Sequence, residues 1–391
     1  MTDSHRLDIV CMATRRLDNP LPTNVQHLMR RLATRHQVLY VEPPVDPVFL
    51  ARQPRETLRL CRRSASGTPR IVTPLILPWE QRFERLEAWN RHLILRQVRR
   101  AMRQLGITRP ILWLFSPLHA WVLGRLKEGQ VCYHITDDYS AMPWVTSEAL
   151  RREVREAEAR ILNAADCVFV TSSHLARKRV LSGPHIHIIP NVADVDHFAA
   201  AREPKTPIPE DIAVIRRPIA GFIGAVDNYK LDLDLLRACA LATPEISYVL
   251  IGPIGWSDPG TRVDSLALPN VHLLGQRSFE SLPGYLKAID VGLIPYRRTA
   301  YTESCSPLKL YEYLAAGKAV VSTDLPGVQE AGELVTVASD AGEFSQAIRG
   351  HLGDSAELAE HRGTFAAQHS WSRRIAEIET ILATSIQDRD R

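Results

Sequence analysis

SCSPLKLYEYLAAGKAVVST, residues 304–323, predicts a helix followed directly by a strand. Ser306 is a residue type that caps helices and Pro307 suits a first helical turn, so the two predict a helix start. Gly317 follows the last apolar turn and predicts the helix end, and the apolar run after it predicts a buried strand. A helix that leads into a buried strand is the repeating unit of α/β folds.

The same alternation extends through the whole chain. Apolar runs typical of buried strands occur at 7–13, 38–44, 70–78, 111–117, 131–136, 166–172, 218–225, 246–252, 271–275, 291–296, 319–323 and 334–339. Helical spacing separates them at 24–35, 81–105, 147–164, 231–241, 279–289 and 306–316. Strands that are separated by helices predict parallel sheets with crossover connections.

The length of 391 residues suits two domains better than one. The polar, proline-rich segment 202–211 predicts a linker between them. We therefore predict an N-terminal domain over 1–204, a C-terminal domain over 205–368, and a helix over 369–391 that is able to pack back on the first domain. The expected architecture is two Rossmann-like, doubly wound α/β domains facing a central cleft, with ligands at the carboxyl ends of the strands.

Composition limits the cell compartment and the cofactor. Apolar residues make up 45% and charged residues 24% of the chain, as in soluble globular proteins. No apolar run approaches the roughly 20 residues of a membrane span, and the first residues lack the apolar stretch of a signal peptide. The six cysteines are scattered and lack zinc-site spacing, which predicts reduced thiols and no metal. We therefore expect a cytoplasmic protein.

Charge is unevenly distributed between the two halves. Residues 1–200 contain 29 Lys and Arg against 19 Asp and Glu, a net charge of +10, whereas the rest contains 19 and 25, a net charge of −6. Such a basic half suits either an anionic partner or simply a solvated, arginine-rich surface. The first alternative predicts peripheral association with the anionic inner face of the cell membrane, through Arg30, Arg31, Arg62, Arg63, Arg99 and Arg100. Basic charge alone does not predict nucleic-acid binding.

Two charged residues near the predicted helix start indicate a binding site. Lys309 lies in the first turn, where a cation is unfavourable for the helix itself, so it is better explained by an anion that it faces. The free N–H groups of a helix start favour phosphate as that anion. Glu312 follows on a neighbouring part of the same face, where its carboxylate can accept hydrogen bonds from two adjacent hydroxyls, as on a ribose. The alternative is a surface ion pair between Lys309 and Glu312.

PLKLYEYLAAGKAVVST resembles the donor-site signature of retaining glycosyltransferases of the GT-B fold, the large family-four group. Four other segments are similar to segments of that family in order and spacing. They are IHIIPNVADVDHF (186–198), GFIGAVDNYKLDLDLL (221–236), the stretch 270–296 and SWSRRIAEIE (370–379). RRLATRHQVLYVEPP and YHITDDY resemble a bacterial polysaccharide branch. The resemblance implies transfer of a sugar from a nucleotide diphosphate sugar to a saccharide, lipid-linked glycan or small-molecule hydroxyl. It also implies retention of configuration, with no cofactor and no essential metal.

The resemblance also assigns the donor site. Lys230 falls where the family's loop lysine contacts the diphosphate, while Ala225 replaces the family arginine five positions earlier. Glu312 matches the second family glutamate, the ribose ligand, and Ser304 replaces the first, with Glu303 beside it. The complete set of predicted donor-binding residues is Gly224, Lys230, Arg277, Glu303, Ser304, Cys305, Ser306, Pro307, Leu308, Lys309 and Glu312.

Two members of this set rest on their position after a strand. Gly224 lies near the end of the run 218–225, where the lack of a side chain allows the backbone to approach a phosphate closely. Arg277 follows VHLLG (271–275) and is a candidate to border the nucleobase. The alternative for Arg277 is an ordinary surface charge.

Polar residues of the N-terminal half are the candidates for catalysis and acceptor binding. His134, Asp137 and Asp138 end a strand in YHITDDY, and His119 lies in SPLHAW. An imidazole or carboxylate there can orient the acceptor hydroxyl or take its proton. The alternatives are a core histidine at His134 and turn caps at the two aspartates. Near the first strand end, the predicted acceptor-binding residues are Asn24 and His27.

Two further functions fit the same architecture. A sugar-nucleotide epimerase needs no acceptor and uses a carboxylate near the anomeric carbon, for which Glu303 is the candidate. A non-catalytic nucleotide-sugar-binding module fits the departures at Ala225 and Ser304. A nicotinamide dehydrogenase is not expected, because no G-x-G-x-x-G follows the first strand.

Overall fold

The computed structural model describes residues 6–19, 21–52, 67–78, 84–179, 183 and 185–389. Its strands are β1 Asp8–Met12, β2 Gln37–Val41, β3 Arg70–Val72, β4 Ile111–Leu114, β5 Gln130–Ile135, β6 Cys167–Val170, β7 Ile186–Ile188, β8 Ile219–Ile223, β9 Ser247–Ile251, β10 Val271–Gly275, β11 Val291–Ile294, β12 Ala319–Thr323 and β13 Val335–Ala338. Two arginines of the predicted basic surface, Arg62 and Arg63, lie outside the described residues.

Helices connect these strands. They are α1 Asn24–Leu32, α2 Pro47–Arg52, α3 Glu84–Leu105, α4 Glu148–Ala164, α5 Ser173–Lys178, α6 Val195–Ala199, α7 Glu210–Ala213, α8 Leu233–Ala242, α9 Leu282–Ala288, α10 Leu308–Ala315, α11 Ala341–Gly350, α12 Ala356–Gln368 and α13 Trp371–Arg389. None of the described helices combines the length and the apolar character that crossing a bilayer requires.

The chain divides into two compact units. The described residues of Met1–Val170, Leu181–Ile188 and Glu377–Arg391 form the first unit, and those of Thr171–Val180 and Ile189–Ala376 form the second. The first contains a parallel sheet in the order β3-β2-β1-β4-β5-β6-β7, and the second one in the order β10-β9-β8-β11-β12-β13. In each sheet the strand order changes direction at the strand that comes first in the chain, β1 in the first sheet and β8 in the second. Doubly wound Rossmann folds have this arrangement. The predicted α/β class with two Rossmann-like units is confirmed.

The central strands are buried on both faces. Every residue of β4, β5, β6, β8, β9, β11 and β12 is buried. Helices cover both faces of a doubly wound parallel sheet, so its strands are continuous apolar runs rather than alternating ones. This explains why unbroken runs such as ILWL and CVFV located the strands in the sequence.

Two predicted segments take a different form. Only Arg70–Val72 of the run 70–78 forms a strand, because Pro74 and Pro78 lack the N–H groups that a ladder needs. The predicted linker 202–211 lies within the second unit. There Lys287 Nζ donates hydrogen bonds to the carbonyl oxygens of Glu203, Pro204 and Thr206, at 2.8, 2.8 and 2.9 Å.

The end of α13 is part of the first unit. Glu379 accepts hydrogen bonds from Arg35 at 2.8 Å and contacts His36 Nε2 at 3.1 Å. One turn and a half further on, Gln130 Nε2 donates to Ser385 Oγ at 2.6 Å. These contacts attach the last helix to β2, β5 and their neighbours.

Lys318 is expected to make stability depend on pH. Burial lowers the pKa of Lys318 from 10.5 to about 8. Between these values the unfolded chain binds more protons than the folded one, so the free energy of unfolding rises with pH. We expect this group to contribute an increase of about 1–2 kcal/mol between pH 7.5 and 9.5. The Lys318→Met variant should be more stable than the parent chain near neutral pH. Its free energy of unfolding should also lack the increase between pH 7.5 and 9.5 that Lys318 contributes. Urea unfolding of both chains across that range tests this, and equal slopes would contradict it.

Candidate functional site

Lys309, in the first turn of α10, lies over the carboxyl end of β8. A Cβ atom placed on Gly224, the residue after β8, would lie 3.4 Å from Lys309 Cε. The carboxyl ends of the strands are the edge where doubly wound sheets bind ligands. The structure therefore brings together two of the predicted donor-binding residues at the edge where a donor is expected.

Lys309 and Glu312 form an ion pair at this edge. Lys309 Nζ lies 2.7 Å from Glu312 Oε2, and the two side chains are 21% and 9% exposed. The pair exists, as one sequence interpretation had it, but the glutamate is not on the surface. A lysine that precedes its glutamate near a helix N-terminus is in the less favourable order for the helix. Helix stability therefore does not explain why this pair is where it is.

The start of α10 differs from the predicted one. The helix begins at Leu308 with Pro307 as its N-cap, and no side chain caps it, so the predicted cap at Ser306 is wrong. The residue before a proline is pushed into the extended region, which delays the helix. Ser306 is instead held through its carbonyl oxygen, which accepts a hydrogen bond from Asn191 Nδ2 at 2.8 Å. The first-turn amides of Leu308 and Lys309 have no partner within the helix.

Tyr313 attaches α10 to the end of β8. Its hydroxyl accepts a hydrogen bond from the Ile223 N–H at 2.9 Å, and the ring is fully buried. A Cβ atom on Gly292 of β11 would lie 2.5 Å from that ring. The ring therefore fits only because residue 292 has no side chain. Because Ile223 immediately precedes Gly224, the tether also fixes the distance between Lys309 and the β8 end.

Glycines follow two neighbouring strands of the second sheet, Gly224 after β8 and Gly252 after β9. Gly224 and Gly252 have φ values of +156° and +152°, a conformation that residues with side chains rarely adopt. A Cβ atom on Gly252 would lie 1.9 Å from the Gly224 carbonyl oxygen. The ends of β8 and β9 can therefore pack this closely only with glycine at both positions.

Lys230 lies in the loop that follows Gly224. Its Nζ is 4.6 Å from the centre of the Tyr296 ring, a cation–π distance. Arg297 fixes this loop: its N–H donates to the Lys230 carbonyl at 2.8 Å, and its Nε donates to the carbonyls of Asn228 and Leu231 at 3.0 and 3.2 Å. The loop that holds the predicted phosphate-binding lysine is therefore ordered by a neighbouring arginine.

Ser304, another predicted donor-binding residue, has a buried hydroxyl that is held from two sides. Its Oγ accepts a hydrogen bond from Lys178 Nζ at 3.0 Å and donates to the Ala300 carbonyl at 3.1 Å. Lys178 also donates to the Ala300 carbonyl, at 2.7 Å. This part of the predicted donor site is therefore built around a lysine from α5.

Glu303 and Cys305, on either side of Ser304, differ in exposure. The Glu303 side chain is partly exposed, and its Oε1 lies 3.9 Å from Arg298 Nη2. Arg298 also lies 3.5 Å from Asp324 Oδ2. Cys305 is buried, and its thiol lies 3.4 Å from the Tyr301 carbonyl oxygen. Of these two predicted residues, only Glu303 presents a charged group.

Arg277 is engaged by residues outside this group. Its Nη2 and Nε donate to Asp211 Oδ2 at 2.6 and 3.1 Å, and its Nε also lies 2.7 Å from the Tyr285 hydroxyl. The hydrogen bond to Asp211 raises the pKa of the Arg277 guanidinium. The structure therefore shows Arg277 in a salt bridge, and its place beside the nucleobase stays a prediction.

The strand ends of the first unit meet at Tyr139. Burial raises the pKa of this residue, and the side chains of Ser116 and Thr14, which follow β4 and β1, are among the neighbours that lower it. Asp138, one residue earlier, accepts hydrogen bonds from the N–H and hydroxyl of Ser140 at 3.0 and 2.7 Å. Asp138 therefore caps the turn after β5, while Asp137 beside it is only partly buried.

The two predicted catalytic histidines differ in burial, since His134 is buried and His119 is partly buried. The buried His134 ring is 5.1 Å from Phe115, 5.6 Å from Phe169 and 6.2 Å from Trp113, centre to centre. This is the position of a core histidine. Burial lowers the pKa of His119 to about 4, so its imidazole is neutral at physiological pH.

The predicted acceptor-binding residues lie on α1. Asn24 is the first residue of the helix and is buried, whereas His27 is partly buried with its Nδ1 3.2 Å from Arg31 Nη1. The Thr23 N–H before them donates to Gln26 Oε1 at 2.9 Å, which fixes the helix start. Across the described residues, no three His, Cys, Asp or Glu side chains are grouped as metal ligands.

Sequence reasoning missed four residues that build the site, namely Lys178, Asn191, Gly252 and Arg297. Asn191 and Gly252 do have a signal, because one lies in the quoted segment 186–198 and the other directly follows a strand run. Lys178 contacts Ser304 across 126 positions of sequence, and only the fold reveals such a pair.

Comparison with known proteins agrees with this geometry. Residues 217–354 match the family described as glycosyl transferases group 1. The chain is 31% identical over 235 residues to TuaH of Bacillus subtilis (strain 168), which carries the provisional name teichuronic acid biosynthesis glycosyltransferase. That match covers 58% of this chain and 56% of TuaH, so it spans little more than half of the relative's length.

Solved structures share the fold over nearly the whole chain. Sucrose-phosphate synthase from Thermosynechococcus elongatus is similar with a TM-score of 0.73 and 19% identity, covering 97% of this chain and 99% of that one. Anabaena HepE in complex with UDP and glucose has a TM-score of 0.68 and 15% identity, covering 98% and 100%. The two α/β units thus have the GT-B fold, and the segment that carries Gly224, Lys309 and Glu312 is the one that matches glycosyl transferases group 1.

Proposed function

We propose that this chain is a glycosyltransferase that moves a sugar from a nucleotide diphosphate sugar to a hydroxyl group, with retention of configuration. The observation that carries the proposal is the Lys309–Glu312 pair beside Gly224 at the carboxyl edge of the second sheet. That edge lies within the segment similar to glycosyl transferases group 1.

The second unit supplies the groups that a nucleotide diphosphate needs. Lys309, Lys230 and the first-turn amides of α10 would hold the two phosphates, since cations and helix N-termini favour phosphate. Glu312 would then exchange its bond to Lys309 for the adjacent hydroxyls of the ribose. The ion pair is therefore the resting arrangement of two groups that separate onto neighbouring parts of one donor.

Rate enhancement would come mainly from the leaving group. As the bond between the anomeric carbon and the phosphate oxygen breaks, negative charge increases on the departing diphosphate. Fixed cations stabilise this charge more in the transition state than in the ground state, which is the condition for catalysis. The groups around the diphosphate would then matter more than a general base, which fits the burial of His134 and the capping role of Asp138.

The acceptor is proposed to be a saccharide, free or lipid-linked, of a bacterial polysaccharide or glycoconjugate made in the cytoplasm. The name of TuaH refers to biosynthesis of such a polymer, which supports a saccharide acceptor for this chain. The HepE structure is a complex with UDP and glucose, which supports a sugar-nucleotide donor.

Incubation with a panel of nucleotide diphosphate sugars and saccharide acceptors tests the proposal, with NMR of the anomeric proton of the product. The expected result is a glycoside with the anomeric configuration of the donor, and an inverted product would refute retention. Epimer formed from donor alone would indicate an epimerase instead. Donor that binds but is never consumed would indicate a binding module.

A further inference from the structure

Helix α3 begins a long stretch of the first unit that lacks acidic residues. Between Glu87 and Glu128 the chain has eight Lys and Arg and no Asp or Glu. Elsewhere in the same unit the charges are mixed: α4 carries arginines that pair with Glu148, as Arg151 does at 2.6 Å. An ordinary solvent-exposed helix face carries both charge signs, as α4 does, whereas α3 after Glu87 carries only positive charges.

Five of the six arginines of α3 lie on one stripe together with Trp89 and His92. At about 100° per residue, its members fall within an arc of about 100° along the helix. All seven are exposed: Arg85, Trp89, His92, Arg96, Arg99, Arg100 and Arg103. We call this set the α3 stripe.

Within the described part of the chain, the α3 stripe has no neutralising carboxylate. Among the described residues, no arginine of the stripe contacts a carboxylate, and Arg99 donates to the Arg125 carbonyl at 2.8 Å. The helix's Arg91, which pairs with Glu87, points to another side. Five arginines on one face, with no described carboxylate beside them, repel one another, so the stripe is best explained by an anionic partner.

Exposed apolar side chains accompany the arginines. Trp89 is 63% exposed within the stripe, and Leu75 and Leu77, on a segment bound to another face of α3, are 44% and 43% exposed. The segment with the two leucines is fastened along α3: Asn90 exchanges hydrogen bonds with the Leu77 backbone at 2.8 and 3.0 Å, and Gln97 does so with the Leu75 backbone at 3.0 and 2.8 Å. Leucines at alternate positions of an extended segment project to the same side.

We propose that the α3 stripe and the adjoining Leu75 and Leu77 dock on the surface of an anionic lipid bilayer. Arginines near such a surface are attracted to its headgroups, while an exposed tryptophan and leucines gain by entering the interface. A soluble polyanion such as a nucleic acid would satisfy the arginines but would leave the three apolar side chains in water. The combination therefore favours a bilayer over a soluble polyanion, independently of the reaction of the second unit.

Vesicle flotation of the full chain tests the charge requirement. We expect binding to equimolar phosphatidylglycerol–phosphatidylcholine vesicles, no binding to phosphatidylcholine alone, and weakening as NaCl is raised from roughly 0.1 to 0.5 M. The double variant Arg96→Glu/Arg100→Glu should bind at least about tenfold more weakly. The matched control Arg152→Glu/Arg160→Glu, on the charge-balanced α4, should bind like the parent chain. Equal loss in both variants, or binding to phosphatidylcholine alone, would overturn the proposal.

Tryptophan fluorescence tests the apolar part and separates lipid from a soluble polyanion. Anionic vesicles should shift the emission to shorter wavelength, and Trp89→Phe should remove most of that shift, whereas Trp256→Phe in the second unit should not. Thermal unfolding of each variant verifies that it is folded. A shift that survives in Trp89→Phe would contradict docking through this face. Binding to a single-stranded oligonucleotide as tight as to vesicles would contradict the choice of a bilayer.

Discussion

Replacing Lys309 with alanine should lower kcat/KM for sugar transfer roughly 100- to 1,000-fold, the loss typical when one fixed donor to a developing negative charge is removed. The variant loses the cation beside Gly224 and also leaves the buried Glu312 carboxylate unpaired next to the phosphate position. Because the charge on the leaving diphosphate grows in the transition state, kcat should fall along with donor affinity. Steady-state kinetics with the donor identified in the panel measures both.

The control for this experiment is Lys205→Ala, an exposed lysine of the same unit. It should leave kcat and KM unchanged. Glu312→Ala should also lower kcat/KM sharply. More of this loss should come from a higher KM for the donor, because the substitution removes a ribose contact. Near-normal turnover in both Lys309→Ala and Glu312→Ala would refute the site assignment.

Among glycine-to-alanine substitutions in the second unit, Gly252→Ala should lower the free energy of unfolding most. The new Cβ would overlap the Gly224 carbonyl oxygen, 1.9 Å away, at a φ of +152° that alanine rarely adopts. Overpacking and backbone strain together should lower the free energy of unfolding by about 2–5 kcal/mol. If the β9 turn moves to relieve the overlap, it displaces the Gly224 turn, so donor binding should weaken even in folded protein.

Gly350→Ala is the matched control for this prediction. Its Cβ would have no atom within 4 Å, and it ends α11 away from the strand ends. Its free energy of unfolding should change by less than about 1 kcal/mol. Urea unfolding of both variants gives the comparison, and a Gly252→Ala chain as stable as the parent would show that the two turns are not packed as described.

The elements of the fold could be predicted well from the sequence because both sheets are parallel and covered on both faces. Runs such as AVVST (319–323) are apolar throughout, so they stand out between amphipathic helices. The rule that ligands gather at the carboxyl ends of strands then placed Gly224 and Lys309 at one edge, and their side-by-side position follows from topology alone. One exception was 70–78, where prolines interrupt an otherwise strand-like run.

The contacts that complete the site could not be predicted in the same way. Asn191 reaches the Ser306 carbonyl across 115 positions, and no local pattern encodes such a pair. The helix start was misplaced by one residue because serine before proline resembles a cap, while backbone sterics decide where the helix begins. His134 shows the same limit, since a histidine in an apolar run has the same sequence pattern whether it faces a cleft or an aromatic core.

The central claim is that the second unit binds a nucleotide diphosphate through Lys309. Calorimetric titration of the parent chain and of Lys309→Ala with a panel of nucleoside diphosphates tests it most directly, supported by the rise in melting temperature that binding to the folded state produces. The account predicts that at least one nucleoside diphosphate binds the parent chain and binds the variant at least about tenfold more weakly. Equal affinity of the two chains, or no binding by any member of the panel, would contradict it.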